Sequence, residues 1–383
     1  MNTRTGRGAA WRRRFLLAAM PVLLGGCAQV KEKLEVAGEV VFGADDVQFI
    51  ELQPTAARVA PIPLDAPPAG KTASVTPDLY CAVPQEEFDY AEVLRKRFGT
   101  EAVLRLEQLM RSDFTRAELT PQQKKMLDVL ALETLWIPAG LESLLGDLLF
   151  RLEKDGLKSV PQEGARAKYW TTSAELFTPL LNVAPKTPFD TRLAILNEGK
   201  PNALAGGRIF VDQETVRVTV ESATAAERSK LAFIYAHELA HVFKRHKAKR
   251  IQQLLIETDE GLKIVRELVT GLDPSGEMAP MAWISGVFDK MASGKRMVEL
   301  LRTEHAQFSR AQEHEADACA TRLMIAAGLG DPVIGFNTYL ANRPKAGDSA
   351  PASALSPYEQ HPPDDARVKI IIEAKTKFGK KRK

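Results

Sequence analysis

The sequence predicts an α+β fold, mainly helical, with one small β-sheet. Three observations carry that expectation. From Gln85 to about Lys158, Leu, Val and Ile recur at three- and four-residue spacing in AEVLRKRFGTEAVLRLEQLM and PQQKKMLDVLALETLWIPAGLESLLGDLLFRLE, the period of helices with one apolar face. Around residue 190 the period changes: TRLAILNE (Thr191 to Glu198) and GRIFVDQ (Gly207 to Gln213) are short apolar runs flanking GKPNALAG, the pattern of two strands joined by a turn-rich connection. Two more helical stretches follow, roughly Ala225 to Arg245 and Ser309 to Ala327, the second stopping before Gly328 with Asp331-Pro332 beyond.

The first residues read as an address. Arg4, Arg7, Arg12, Arg13 and Arg14 precede the apolar run FLLAAMPVLL, which is too short to span a bilayer and fits a signal peptide over residues 1–26. The run ends in Leu24-Gly25-Gly26-Cys27, which resembles the lipobox of bacterial lipoproteins and implies cleavage before Cys27 and its lipidation. Ala28, not Asp, follows the cysteine, so sorting to the periplasmic side of the outer membrane is expected ahead of the inner membrane. Arg12-Arg13 leaves both the general and the twin-arginine export routes open.

Residues 27–84 read as a lipid-anchored tether, with seven prolines between Leu52 and Pro84. A helical layer over 85–160 and a larger domain over 161–373 follow, then a basic, frayed tail over 374–383. With Cys27 assigned to the anchor, Cys81 and Cys319 remain; Cys319 reads as a free, buried thiol, and a Cys81–Cys319 disulfide stays open. The charge is nearly balanced, 52 Lys and Arg against 49 Asp and Glu, which argues against nucleic acid as a partner. The run MAPMAWISGVF (Met278 to Phe288) reads as core, with a lid, a substrate groove or a membrane contact as the alternatives.

The chemistry concentrates in YAHELAHVFKRH, Tyr235 to His246, which holds three of the chain's 6 histidines. On a helix His237 and His241 share a face and can offer imidazole nitrogens to one metal ion, with Glu238 about 100° round as a proton acceptor. A third donor is needed, and SRAQEHEADACATRLM offers it: Glu313 and Asp317 share a face, one as a ligand and one as an acceptor that orients a histidine ring. Glu315 is rotated about 200° from Glu313 and points elsewhere. His314 reads as a surface histidine, and His246, rotated about 140° from His241, as a structural one. Lys244, Arg245, Lys247, Lys249 and Arg250 follow the helix and are expected to complement its C-terminal dipole.

His237-Glu238-Leu239-Ala240-His241, NALAGGRIFV before it, SRAQEHEAD after it and HPPDDAR (His361 to Arg367) near the end stand in the order seen in the family M48 zinc metallopeptidases, and the chain resembles that family over about residues 160–372. The family includes the CaaX prenyl proteases, HtpX and the periplasmic BepA and LoiP. The resemblance implies a zincin-type (gluzincin) domain whose small sheet borders the active-site cleft by an edge strand, here Gly207, Arg208, Ile209 and Phe210. It implies one zinc ion per chain on His237, His241 and Glu313, zinc-bound water activated by Glu238, Asp317 behind the ligands and Arg367 bracing the site. His361 is expected near the metal, as a transition-state hydrogen-bond donor or as an inhibitory extra ligand.

The function that follows is a zinc-dependent endopeptidase of unfolded or misassembled envelope proteins. Its partners are protein and peptide substrates, the membrane through the anchor and the envelope assembly machinery. A non-proteolytic zinc-binding chaperone or assembly factor with the same fold is the alternative.

Overall fold

The computed structural model describes residues 81–82, 90–109, 112, 114–135, 137, 139, 142–143, 146, 158–198, 201–203, 205–259, 261–263, 310–342 and 364–379. The expected leader, Cys27, the proline-rich stretch up to Tyr80, the Met278 to Phe288 run and His361 lie outside the described residues.

Helices α1 (Tyr90–Phe98), α2 (Thr100–Leu109) and α3 (Pro121–Leu132) form the N-terminal layer. The periodicity of AEVLRKRFGTEAVLRLEQLM suggests one helix, but Gly99 at φ +87° takes the left-handed conformation that ends a helix, and so divides it in two. At α3 the start is written in the sequence. Thr120 Oγ1 accepts from the Gln123 N–H, Gln123 Oε1 accepts from the Thr120 N–H, and Pro121 takes the first helical position. Leu94, Val103, Leu106, Phe114, Met126 and Leu127 close the layer's own apolar cluster together with Ile256 and Leu262.

The body opens with α4 (Ala167–Val183) and continues with β1 (Arg192–Leu196), β2 (Asn202–Ala203), β3 (Arg208–Asp212), α5 (Gln213–Ser222), α6 (Ala225–Phe243) and α7 (His246–Glu257). It ends with α8 (Arg310–Ala327), α9 (Pro332–Ala341) and α10 (Asp364–Gly379). The sheet order is β1-β3-β2, with β1 parallel and β2 antiparallel to β3. Here the structure corrects the sequence reading: Gly207, Arg208, Ile209 and Phe210 are not an edge strand. Ile209 is flanked by Leu193 on one side and Ala203 on the other. Parallel strands cannot be joined by a hairpin, so the connection passes to the far side of β3 and lays Asn202–Ala203 there. It returns through a turn, Ala205–Gly207, in which Gly206 and Gly207 take φ of 75° and 89°. The outer side of β1 is paired too, through the Ser159–Leu196 bridge, so among the described residues the strand left outermost near α6 is β2.

α6 is the central helix. Thr224 caps it by accepting from the Glu227 N–H, and every residue from Ser229 to Phe243 is buried. It packs against α8, α9, α4 and α5. A helix buried on all sides is ordinarily apolar all round. The His and Glu in the middle of this one therefore need partners of their own.

Two more expectations change. Cys319 is not a free thiol: it is bonded to Cys81 with Cα atoms 5.2 Å apart, so Cys81 is fully buried against α8. α10 runs to Gly379 with Ala374 buried, so the ordered body extends into the stretch expected to be a frayed tail. The basic run after His241 does stand at a helix end, where Lys244 is the C-cap of α6. Lys244, Arg245 and Lys247 are buried, Arg245 takes the left-handed conformation at φ 53°, and α7 starts at the next residue. Arg245 donates to Glu142 at 2.6 Å and to the Ile137 carbonyl at 2.7 Å, tying the turn between α6 and α7 to the residues that follow α3.

Candidate metal centre

One turn of α6 puts His237 above His241, and α8 crosses it with Glu313 in its first turn. The donor atoms converge. His237 Nε2 lies 3.0 Å from His241 Nε2, and they lie 3.5 and 3.6 Å from the two carboxylate oxygens of Glu313. Among the described residues this is the His/Cys/Asp/Glu group that could hold a metal ion. Donors placed tetrahedrally about a zinc ion, at roughly 2.0–2.1 Å each, stand about 3.3 Å apart. Two imidazoles and one carboxylate at these separations fit such an ion.

The ligand set has a second layer. Asp317, one turn after Glu313, brings Oδ1 to 3.0 Å from His237 Nδ1, a close approach without the alignment of a full hydrogen bond. Arg367 on α10 donates twice to Asp317, at 2.7 Å from both Nε and an η nitrogen, and stands 3.5 Å from Glu313. Phe336 of α9 lies under the guanidinium, 4.9 Å away. Glu313, Asp317 and Arg367 are 1, 0 and 3% exposed, so this cluster of charge holds together by mutual pairing.

On the other side, His241 Nδ1 meets His246 Nδ1 at 2.8 Å, and His246 Nε2 meets Glu315 at 3.0 Å. Lys244 stands 3.6 Å from the same Glu315 oxygen. The sequence reading has Glu315 pointing away from Glu313, and it does. The reading misses that it points at a histidine backing a candidate ligand. The signal is present in the sequence, a second acid two residues from Glu313 and a third histidine beyond His241, but a continuous helix would carry His246 away. Only the left-handed Arg245 turns it back.

Charge among these side chains is unevenly shared. Burial opposes a proton on His237, but Asp317 and Glu313 outweigh it and raise the imidazole to about 10. Burial and the neighbouring His237 hold His241 well below its ordinary value, and burial likewise lowers His246 to about 4. The pair of carboxylates thus draws one positive charge to the point where the donors meet. Burial raises Glu238 to about 7, with His237 pulling the other way, and its Oε2 is buried without a protein partner. A carboxylate poised near neutrality with an open oxygen suits a proton acceptor. His314, half-buried and lowered by desolvation, takes no part in these contacts.

No curated protein matches the chain. The profile of peptidase family M48 matches residues 180–375, a span that covers more than half of the chain and holds all of His237, Glu238, His241, Glu313, Asp317 and Arg367. The chain therefore belongs to peptidase family M48, and metallopeptidase activity goes with that membership.

Proposed function

We propose that this metallopeptidase is a zinc endopeptidase of the cell envelope that cuts unfolded or misassembled proteins. The single observation that carries the chemistry is the convergence of two imidazoles and one carboxylate at 3.0 to 3.6 Å beside the buried Glu238, whose Oε2 has no hydrogen-bond partner. In this reading His237, His241 and Glu313 hold the ion. Bound zinc supplies Lewis acidity, which makes a water more acidic and a peptide carbonyl more electrophilic. Glu238 takes the proton of the attacking water on its open oxygen and passes it to the leaving amine nitrogen. Asp317 and Arg367 hold His237 and Glu313 in place while charge at the reacting carbon changes.

An extended substrate would pair by its backbone with the outermost strand near α6, Asn202–Ala203, gaining affinity with little demand on side chains. Such permissive recognition suits clients defined by being unfolded. The leader ending in LGGC supports a lipid anchor at Cys27, and Ala28 after it supports the periplasmic side of the outer membrane. Among the described residues no helix is long and apolar enough to cross a membrane.

The test pairs zinc content with cleavage of unfolded casein. Glu238→Gln should keep the metal and lose about 100- to 10,000-fold in rate, the usual worth of a general base. A wild type that binds zinc yet leaves unfolded proteins uncut, also after His361→Ala, overturns the endopeptidase reading in favour of a chaperone with the same fold. Loss of radiolabelled palmitate on Cys27→Ala is the expected sign of the anchor.

A further inference from the structure

We propose that His246 and Glu315 are positioning residues for the metal ligand His241: together they fix the proton on its Nδ1 and leave its Nε2 lone pair facing the metal. The inference rests on the zinc-site reading above and extends it to two residues outside the ligand set.

The geometry begins at an unusual turn. α6 ends at Phe243, and Arg245 at φ 53°, ψ 41° precedes His246, the first residue of α7. A left-handed conformation is disfavoured for a residue with a side chain. It persists where the surroundings over-determine it, and here the Arg245 guanidinium is locked by Glu142 and the Ile137 carbonyl. The result is that the His246 ring stands 4.9 Å from that of His241, at 72°, with the two Nδ1 atoms 2.8 Å apart. α8 then grips His246 twice. Glu315 takes its Nε2 at 3.0 Å, and Gln312 Nε2 donates to its backbone carbonyl at 3.2 Å.

The protons in this chain can be assigned by what each group is able to do. A carboxylate only accepts, so His246 Nε2 carries a hydrogen toward Glu315. For His241 Nε2 to offer a lone pair to the metal, His241 Nδ1 must carry the hydrogen, and His246 Nδ1 must accept it. One arrangement satisfies all three contacts, and it is the one that leaves the ligand nitrogen bare. Glu315 therefore acts on the metal across an intervening imidazole. The helical spacing explains why an intermediary is needed. Asp317 lies one turn from Glu313 and reaches His237 directly, whereas Glu315, on another side of α8, meets the site only through His246. α8 thus supplies one ligand and backs both of the others.

The experiment measures Zn2+ affinity of the full-length protein by chelator competition, with denaturant unfolding of the metal-free forms to show that each variant is folded. Groups that orient metal ligands are typically worth 10- to 100-fold in metal affinity, so His246→Ala and Glu315→Leu should weaken zinc binding by about tenfold or more. Glu315→Gln, whose amide oxygen still accepts, should recover part of that loss. Selective 15N-histidine NMR of the metal-free wild type should show the Nδ1–H tautomer at His241, and Glu315→Leu should move it toward Nε2–H. If His246→Ala does not fold, the Glu315 variants carry the test, since that side chain is 23% exposed. Zinc affinity within twofold of wild type in the folded variants, or an Nε2–H tautomer in the wild type, overturns the relay alone. A wild type that takes up no zinc overturns the metal-site reading and the relay with it.

Discussion

His237 and His241 sit one turn apart on the same helix and face the same point, yet they are supported by opposite kinds of chemistry. Behind His237 stands a fully charged pair, Asp317 and Arg367, with both side chains buried and two hydrogen bonds between them. Behind His241 stands a neutral imidazole, His246, with its charge one step further out on a part-exposed Glu315. The difference teaches how a small centre keeps its histidines oriented without burying a carboxylate against each. A buried ion pair costs its desolvation and repays it only while both partners are present. An imidazole relays the preference of a distant carboxylate without bringing its charge inside. The first device is stiff and brittle. The second is softer and should fail more gently.

The largest expected effect tests the brittle side. Arg367→Met leaves Asp317 charged and fully buried, and removing one partner of such a pair costs about 3–5 kcal/mol. Denaturant unfolding of the metal-free protein should show that loss, whereas Glu315→Gln, at a part-exposed site that retains an acceptor, should cost only about 1 kcal/mol. Equal losses in the two variants would remove the distinction between the supports. Metal removal sharpens the comparison further. Free zinc at a thousand times Kd stabilises a folded protein that holds it by about 4 kcal/mol, so chelation should lower wild-type stability by that order. The zinc-dependent gain should shrink at a fixed zinc concentration in Glu315→Leu and Arg367→Met. A chelator that leaves the melting temperature of the zinc-loaded wild type unchanged contradicts a metal held only by the folded state.

The same contrast shows what a sequence can carry. The helical spacing that pairs His237 with His241, and Glu313 with Asp317, is local arithmetic and was legible before any coordinates, whereas the meeting of the two pairs at one point was implied by the family resemblance and not by spacing. The stop of α8 at Gly328, with Asp331-Pro332 beyond, was legible for the same reason: caps are written in the residues that make them. The relay was not legible, because it depends on Arg245 leaving the helical region, and that depends on Glu142, about a hundred positions away. The position of β3 was missed because an apolar run looks alike at an edge or in the middle, and only the path of the Asn202–Ala203 connection decides. The Cys81–Cys319 bond likewise needed the fold, since its partners are 238 residues apart. His361 and Cys27, expected at the site and at the anchor, fall outside the described residues.

The smallest predicted effect concerns the other end of the helix that carries Arg367. α10 is pinned in the core by Arg367 on Asp317 and near the surface by Lys375 on Asp331, whose carboxylate also caps α9 by accepting from the Val333 N–H at 2.9 Å. Both side chains of the outer pair are substantially exposed, so the ion pair itself contributes little. Asp331→Ala should therefore cost about 1 kcal/mol, the ordinary worth of an N-cap. Burial pushes the Asp331 carboxyl up, but the Lys375 ammonium and the Val333 N–H together hold it below the usual carboxylate value. A carboxyl lowered in the folded state stabilises in full above its unfolded pKa, near 4, and loses that contribution as pH falls through the folded pKa. The gap between wild type and Asp331→Ala in denaturant unfolding should then be largest at pH 7 and narrow below about pH 4. A gap that stays constant down to pH 3 would show that geometry and not charge holds this end of α10, which would make the outer pin as indifferent to protonation as the relay is to direct charge.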